Sequence, residues 1–267
     1  MKNSIRKDWK LIESLIREKS KVLDIGCGEG ELIKQLNKNI NADTRGIEID
    51  PALARKAIGT GLNVVQGNTE DGLGQYSNQS FDYVILSQTL QAMNKPKDVL
   101  IDLLRIGSKA IVSFPNFGHW KIRFQLMLKG KMPITKDLPF SWYETPNIHF
   151  FTIKDFQELC NDSNILIEKS IGLTSRGKQF NIYENTFGVN FYTSEAIFLL
   201  SYKNYTPIKI TSKQKYKPSI ACIEWIDPLM MAGNWIPEMV EIAGGINILS
   251  KPGKDSHWVK FHEISKK

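Results

Sequence analysis

Apolar residues recur with two different periods along the first two hundred positions, and the change of period predicts alternating strands and helices. Seven short apolar runs predict strands at residues 21–25, 44–49, 62–66, 81–87, 109–114, 165–170 and 196–202. Residues three or four apart form apolar faces at 8–18, 29–36, 96–104, 119–128 and 152–160, which predicts helices there. Helices between strands imply an α/β fold with a mostly parallel sheet covered on both faces.

Two helix starts have recognisable capping signals. Asp50 and Pro51 fit an N-cap followed by the first helical residue. Thr152 and Asp155 are three positions apart, the spacing of a capping box. We therefore expect helices to begin at both places.

Residues 129–150 interrupt the alternation and are rich in proline, lysine and aromatic residues. Such a long loop in a compact domain is usually functional or disordered, and its aromatic content argues against disorder. Three interpretations stay open: a lid over the ligand side of the sheet, a surface for a partner, and an ordered insertion that only covers the sheet end.

A glycine-rich loop follows the first predicted strand. Asp24 lies near the end of that strand, and Gly26, Gly28 and Gly30 follow with Cys27 between the first two. Glycine allows close approach of the backbone to a ligand, and the N-terminus of the next helix offers free N–H groups to a polar or anionic group. The loop therefore predicts a site of the nucleotide-binding type.

The spacing narrows the choice of nucleotide. A dinucleotide fingerprint requires a small residue at the position that Glu31 occupies. The pattern Asp-x-Gly-x-Gly-x-Gly resembles instead the first motif of the class I S-adenosylmethionine-dependent methyltransferases. A second acidic residue is expected to end the next strand and hold the ribose hydroxyls, and Glu48, followed by Ile49, is 20 residues after Gly28. S-adenosylmethionine or S-adenosylhomocysteine is thus the predicted cofactor; a glycine-rich turn in an unrelated α/β protein is the alternative.

Three polar residues complete the predicted cofactor site. Asn68 follows the third strand, where many sites of this class place an acidic residue against the adenine; an amide can also accept and donate there. Ser87 and Gln88 follow the fourth strand at the mouth of the crevice. They are predicted to face the methionyl part of the cofactor, or else only to cap the following helix.

The sequence names no catalytic residue. Methyl transfer from a sulfonium depends mostly on alignment of the reacting atoms, so the lack of an acid–base signature does not count against an enzyme. His119 and His149 bracket the insertion and are candidate bases, although a lone histidine is more often structural. Whether the chain is an enzyme stays open at this point.

Composition restricts the setting. The chain has 267 residues, 42% of them hydrophobic and 24% charged, and no apolar run approaches the ~20 residues of a membrane span. No apolar stretch of signal-peptide type follows the basic N-terminus. Cys27, Cys160 and Cys222 lack metal-binding spacing, so we predict no metal and a cytoplasmic location. The net charge of +7 comes from scattered lysines, and we predict no nucleic-acid partner.

Four segments together resemble the methionine biosynthesis protein family MetW over residues 6–203. They begin at Val22, Phe81, Ser113 and Trp142, and read VLDIGCGEG, FDYVILSQTLQ, SFPNFGHW and WYETPNIHFFT. The resemblance implies a Rossmann-like class I methyltransferase fold with a seven-stranded sheet whose last strand is antiparallel. It also implies a role beside homoserine O-acyltransferase (MetX) in methionine synthesis, supporting or activating that enzyme. An active methyltransferase on an unknown acceptor is the alternative, and Asn68 departs from the Asp that is usual in the family.

The C-terminal region differs in character. We predict a domain at 1–203, a polar linker at 204–218 and an appendage of strand, turn and amphipathic helix at 219–267. Residues 216–262 are similar to the middle of cobalamin or iron-siderophore ABC-transporter substrate-binding proteins, specifically at Glu224-Trp225, Asp227-Pro228, Gly233-Asn234-Trp235 and Gly244-Gly245. A fusion remnant, a grafted interaction element and a cobalamin-binding function are the alternatives for this region; only one βα piece of such a lobe is present.

Overall fold

The computed structural model describes residues 6–135, 138–182 and 186–202, together with five short strands between 219 and 258. Contacts between Cα atoms divide the chain into two units, Met1–Tyr205 and Thr206–Lys267. Each unit is described by itself.

A single mixed sheet organises the first unit. Its strands are β1 (Lys21–Ile25), β2 (Asp43–Glu48), β3 (Val64–Gln66), β4 (Phe81–Ser87), β5 (Gly107–Pro115), β6 (Ile165–Leu173), β7 (Gln179–Asn181) and β8 (Glu195–Tyr202). Their order is β3-β2-β1-β4-β5-β8-β6-β7. The first five strands are parallel, whereas β8 is antiparallel to both β5 and β6. The predicted Rossmann-like architecture with an antiparallel last strand is confirmed.

The predicted strand count was wrong by one. The sheet has eight strands because β7 pairs antiparallel with β6 at the sheet edge. With three residues, β7 is too short to show a period of two in the sequence.

Helices connect most of the strands. They are α1 (Lys7–Leu15), α2 (Glu31–Ile40), α3 (Pro51–Gly59), α4 (Thr69–Gly72), α5 (Pro96–Ile106), α6 (Trp120–Lys129), α7 (Ile153–Asp162) and α8 (Thr186–Tyr192). Both predicted caps are confirmed. The Asp50 carboxylate accepts hydrogen bonds from the N–H groups of Ala52 and Leu53, and Thr152 forms both halves of a capping box with Asp155.

Apolar side chains cover the sheet on both faces. On one face, the rings of Phe114, Phe156 and Phe198 pack together, with centroids 4.8 Å apart for Phe114–Phe156 and 4.7 Å for Phe156–Phe198. On the other face, Ile12 of α1 and Ile111 of β5 belong to a second buried cluster. This double cover leaves the strand ends as the accessible part of the sheet.

The insertion after α6 is attached to the ends of the strands. The N–H groups of Ile148 and His149 both donate to the carbonyl of Gln91, at 2.8 and 2.9 Å. Phe117 N–H donates to the carbonyl of Phe151 at 3.2 Å. These bonds hold the insertion beside the carboxyl ends of β4 and β5.

The second unit contains two small groups of strands. Strands β10 (Ile223–Ile226), β11 (Leu229–Met231) and β13 (His257–Trp258) form an antiparallel sheet, and β9 (Ser219–Ile220) pairs parallel with β12 (Ile246–Asn247). The predicted linker, the predicted amphipathic helix and Cys222 lie outside the described residues. The division at 203 and 219 stays a prediction.

Candidate functional site

Parallel strands of the sheet end at a common edge, where α/β folds bind ligands. The glycine loop leads from β1 into α2 at this edge, and its N–H groups at Gly26 and Cys27 donate to the carbonyl of Ile47, at 2.8 and 3.2 Å. The loop is thereby attached to the end of the neighbouring strand β2. Asp24, Gly26 and Cys27 take their positions from this attachment.

Gly28 and Gly30 perform different tasks in the loop, although both have a positive φ, of 58° and 77°. A Cβ on Gly30 would lie 2.2 Å from Leu62 Cδ1, so a larger residue there would force Leu62 to move. A Cβ on Gly28 would meet no atom within 4 Å. Gly28 therefore presents an open backbone face to the crevice.

Glu48 joins the glycine loop to the turn after β2. Its Oε2 accepts a hydrogen bond from Gly28 N–H at 2.7 Å, and its Oε1 accepts one from Asp50 N–H at 2.9 Å. The side chain is 6% exposed. A carboxylate has about four acceptor positions, so each oxygen retains capacity for a further donor.

Burial raises the pKa values of two side chains beneath the glycine loop. Asp24 is 2% exposed, and burial raises the pKa of its carboxyl to about 7; Arg6 opposes the shift and Glu48 adds to it. Burial also raises the pKa of the Cys27 thiol to about 12, with the nearby Asp24 and Glu48 charges contributing. The Cys27 side chain packs among apolar residues that include Ile33 and Val64, so it acts as a small core residue rather than a reactive thiol.

Ile49 and Asn68 lie at the ends of β2 and β3. The Ile49 side chain is 61% exposed, an unusual exposure for isoleucine directly after a buried carboxylate. Asn68 is the N-cap of α4, and its Oδ1 accepts a hydrogen bond from Glu70 N–H at 3.1 Å. A carbonyl oxygen has a second lone pair, so this cap is compatible with a further donor.

Ser87 and Gln88 lie at the end of β4 and contact residues from the two ends of the first unit. Ser87 Oγ donates to Asp8 Oδ2 at 3.3 Å and accepts from Arg6 Nη2 at 3.2 Å. Gln88 has a positive φ of 57°, and its Nε2 donates to Glu195 Oε1 at 2.6 Å. Ser87 and Gln88 therefore belong to a polar cluster, in addition to their place at the strand end.

A cavity of about 610 Å³ adjoins this cluster. Its lining comes from α1, the strand ends and the insertion: Arg6, Asp8, Gln88, Gln91, Pro115, Pro139, Phe140, Pro146, Asn147, Leu173, Thr174, Ser175, Ser194 and Glu195. The insertion therefore forms one wall of the cavity. Neither His119 nor His149 is among the lining residues, and His119 Nδ1 accepts from Lys121 N–H at the start of α6.

The sequence matches the family model of the methionine biosynthesis protein MetW over residues 6–200. The chain belongs to the MetW family. The match includes the glycine loop, the insertion and most of β8, and therefore all the residues that line the cavity.

Relatives of this MetW-family chain include a fused protein. The bifunctional methionine biosynthesis protein MetXA/MetW of Rhodopirellula baltica is 32% identical over 173 residues, which is 61% of this chain. The aligned part spans only 28% of the length of that relative.

Solved structures confirm the fold. An S-adenosylmethionine-dependent methyltransferase of Thermotoga maritima, a possible histamine N-methyltransferase, has a TM-score of 0.55 at 17% identity, covering 73% of this chain and 87% of that one. The plantazolicin methyltransferase BamL, in complex with a triazolic desmethylPZN analogue and S-adenosylhomocysteine, has a TM-score of 0.54 at 15% identity, covering 76% of this chain and 87% of that one. At such identities the likeness establishes the class I methyltransferase fold of the MetW-family chain and nothing about its ligand.

Three charged residues near the site were not predicted from the sequence. Arg6 and Asp8 lie at the start of α1, and Glu195 is the first residue of β8. Glu195 could have been proposed as a site residue, because it is a charged residue at the start of the otherwise apolar run 195–200. Asp8 showed no such signal, because an acidic residue in the first turn is ordinary helix chemistry.

Proposed function

We propose that this MetW-family chain binds S-adenosylmethionine in the crevice and acts together with a homoserine O-acyltransferase in methionine biosynthesis. The open backbone face at Gly28 and the acceptor capacity of Glu48 support the cofactor part of the proposal. Glu48 would hold the ribose hydroxyls, Ile49 would cover one face of the adenine, and Asn68 would meet the adenine edge. Asp24, Gly26, Cys27 and Gly30 would shape the loop that receives the methionyl part.

The bound cofactor would supply a methyl group activated on a sulfonium. The chain's own contribution would be orientation, because Glu48 fixes the glycine loop through Gly28 and Ser87 with Gln88 fixes the opposite side of the crevice. A purely accessory protein needs the same binding geometry without turnover. Turnover on a small acceptor is the second candidate function, and the cavity beside the crevice is the observation that favours it.

The fused relative supports the partner. MetXA and MetW portions occupy one polypeptide in Rhodopirellula baltica, and a covalent link holds two modules at high effective concentration. We infer that separate chains of the two kinds associate directly. Cys27 and Cys160 are free thiols, which agrees with the proposal that this chain and the acyltransferase meet in a reducing, cytoplasmic location.

The outer face of α6 is the surface we assign to this partner. Phe124, Met127 and Leu128 lie on one side of the helix, with exposures of 52%, 70% and 65%. Trp142 and Tyr143 of the insertion are also exposed, at 72% and 71%. Several large apolar side chains exposed close together in this way are typical of interaction surfaces.

Calorimetric titration with S-adenosylmethionine tests the cofactor part. We expect saturable binding that Glu48→Gln weakens by about 10–100-fold, because the amide directs a donor toward the N–H of Gly28 or Asp50 and removes acceptor capacity. Glu158→Gln on α7 is the matched control, since that exposed side chain lies outside the crevice. Absence of binding to the wild-type chain, or equal binding by both variants, would refute this part.

Co-purification with homoserine O-acyltransferase tests the partner part. We expect a complex and a change in the acyltransferase rate when this chain is added. No complex and no rate change would leave the cofactor part standing and remove the partner part. The two results are therefore separable.

A further inference from the structure

The cavity of about 610 Å³ beside the crevice has an unusual charge arrangement. Among the described residues that line it, Arg6, Asp8 and Glu195 are charged types. The Arg6 guanidinium contacts both oxygens of the Asp8 carboxylate, with Nε 3.1 Å from Oδ1 and Nη2 on Oδ2. Asp8 is 1% exposed, so this ion pair is held at the cavity wall. The Arg6–Asp8 pair has no net charge. Glu195 is the third of the three ionisable residues named above and is not part of this ion pair.

Glu195 faces Asp8 of α1, Arg6 at the N-cap position of that helix, and Gln88 from the segment after β4. Burial, and then the Asp8 charge, raise the pKa of the Glu195 carboxyl to about 8, while the Gln88 hydrogen bond and Arg6 oppose the shift. Near neutral pH the carboxyl therefore retains a proton beside the Asp8 carboxylate. A cation placed at this position would replace that proton and stabilise the ionised form.

Gln91 adds an independent indication of a ligand. Its side chain is 6% exposed and lines the same cavity. Its Nε2 donates to the carbonyl of Gln88 at 2.8 Å, which fixes the orientation of the amide. Its Oε1 has no hydrogen-bond partner among the described residues. A buried acceptor without a donor is unfavourable, and a ligand N–H would satisfy it.

Three acceptors line this cavity: the carboxyl groups of Glu195 and Asp8, and Oε1 of Gln91. A primary ammonium group carries three N–H donors and one positive charge, which matches Glu195, Asp8 and Gln91 Oε1. The rest of the wall is partly apolar, with Pro115, Phe140 and Leu173 among its residues. An anion would find no available cation among the described lining residues, because Arg6 is paired with Asp8.

We propose that this cavity binds a small organic ammonium ion, the protonated form of a primary amine with a short apolar body, between Glu195, Asp8 and Gln91. Binding places the ammonium nitrogen beside the end of β4, next to the crevice. The proposal concerns the cavity alone. Its test uses neither S-adenosylmethionine nor the acyltransferase, so its result is independent of the proposed function.

Calorimetry with benzylamine, which is protonated at neutral pH, tests the site in the wild-type chain. We expect saturable binding of benzylammonium, and binding of benzyl alcohol and benzoate at least about 10-fold weaker. Titrations at pH 7 in two buffers of different ionisation enthalpy should show release of up to one proton per ligand, because Glu195 ionises on binding. No binding of benzylammonium, equal binding of the neutral alcohol, or binding without proton release would overturn the proposal.

Two variants locate the binding. Glu195→Gln keeps the shape of the side chain and removes the charge, and should weaken benzylammonium binding by about 10–100-fold and abolish the proton release. Gln91→Met removes the third acceptor and should weaken binding by about 3–10-fold while proton release persists. Glu168→Gln is the control, because that side chain pairs with Lys109 away from the cavity. Equal affinities of Glu195→Gln and Glu168→Gln would contradict the assignment.

Discussion

At the scale of single residues, Asp24 lowers the free energy of unfolding by an amount that depends on pH. Burial raises the pKa of this carboxyl from 3.8 to about 7. Between these two values the folded chain binds more protons than the unfolded chain, so the contribution of Asp24 to stability falls as pH rises and is lowest above about pH 7. A carboxyl that is buried beneath the glycine loop at the expense of stability indicates a role in the site.

Asp24→Asn removes this proton linkage. We expect the variant to exceed the wild type in free energy of unfolding at about pH 8 by about 1–4 kcal/mol, at about 1.4 kcal/mol for each pKa unit, and the difference to shrink toward about pH 4. Urea denaturation of both proteins across this range measures it. Glu195 gives both proteins a parallel dependence, so the difference isolates Asp24. A difference that is constant with pH would show that the carboxyl is ionised throughout.

The glycine loop and Glu48 were predictable because a local motif and a fixed interval define them. Gln88 and Glu195 are 107 positions apart, and their contact depends on where β8 enters the sheet. No local pattern encodes that distance. For the same reason the sequence indicated polar groups at Ser87 and Gln88 but not the acidic partners they contact.

At the scale of elements, helix starts with explicit caps follow the sequence closely. In the capping box of α7, Thr152 N–H donates to Asp155 Oδ2 at 2.8 Å and Asp155 N–H donates to Thr152 Oγ1 at 3.4 Å. The helix then buries Ile153 and Phe156 against the sheet. The cap therefore fixes where an apolar face begins, immediately after the insertion ends.

Thr152→Ala should lower the free energy of unfolding by about 1 kcal/mol, the usual effect of losing an N-cap side chain. Ser163→Ala at the other end of α7 is the control, since Ser163 Oγ is buried without a hydrogen-bond partner among the described residues. Chemical denaturation measures both. Equal losses in the two variants would mean that the hydroxyl of Thr152 does not act as a cap.

Elements without local signals were missed. No pattern in the sequence predicts β7, α4 or α8, which have three, four and seven residues. Each is shorter than the window over which a periodic pattern becomes visible. Tertiary contacts define such elements, as in the pairing of β7 with β6.

At the scale of the whole molecule, the first unit has both a ligand-sized cavity and an exposed apolar surface. The crevice and cavity open at the carboxyl ends of the strands, and α6 with the insertion presents an apolar surface. The insertion belongs to both, because Phe140 lines the cavity whereas Trp142 and Tyr143 are exposed. A partner bound on this surface would contact the segment that forms a wall of the cavity.

The α6 surface can be tested without disturbing the crevice. Met127→Asp should weaken the complex with homoserine O-acyltransferase by at least about 10-fold, because a charge would replace an apolar side chain that the partner desolvates. Affinity for S-adenosylmethionine should not change. Ile58→Asp on α3 is the control, an exposed apolar position at 49% that lies outside the proposed surface. If both variants weaken the complex equally, the effect is one of general surface charge; if neither does, the acyltransferase binds elsewhere on the chain.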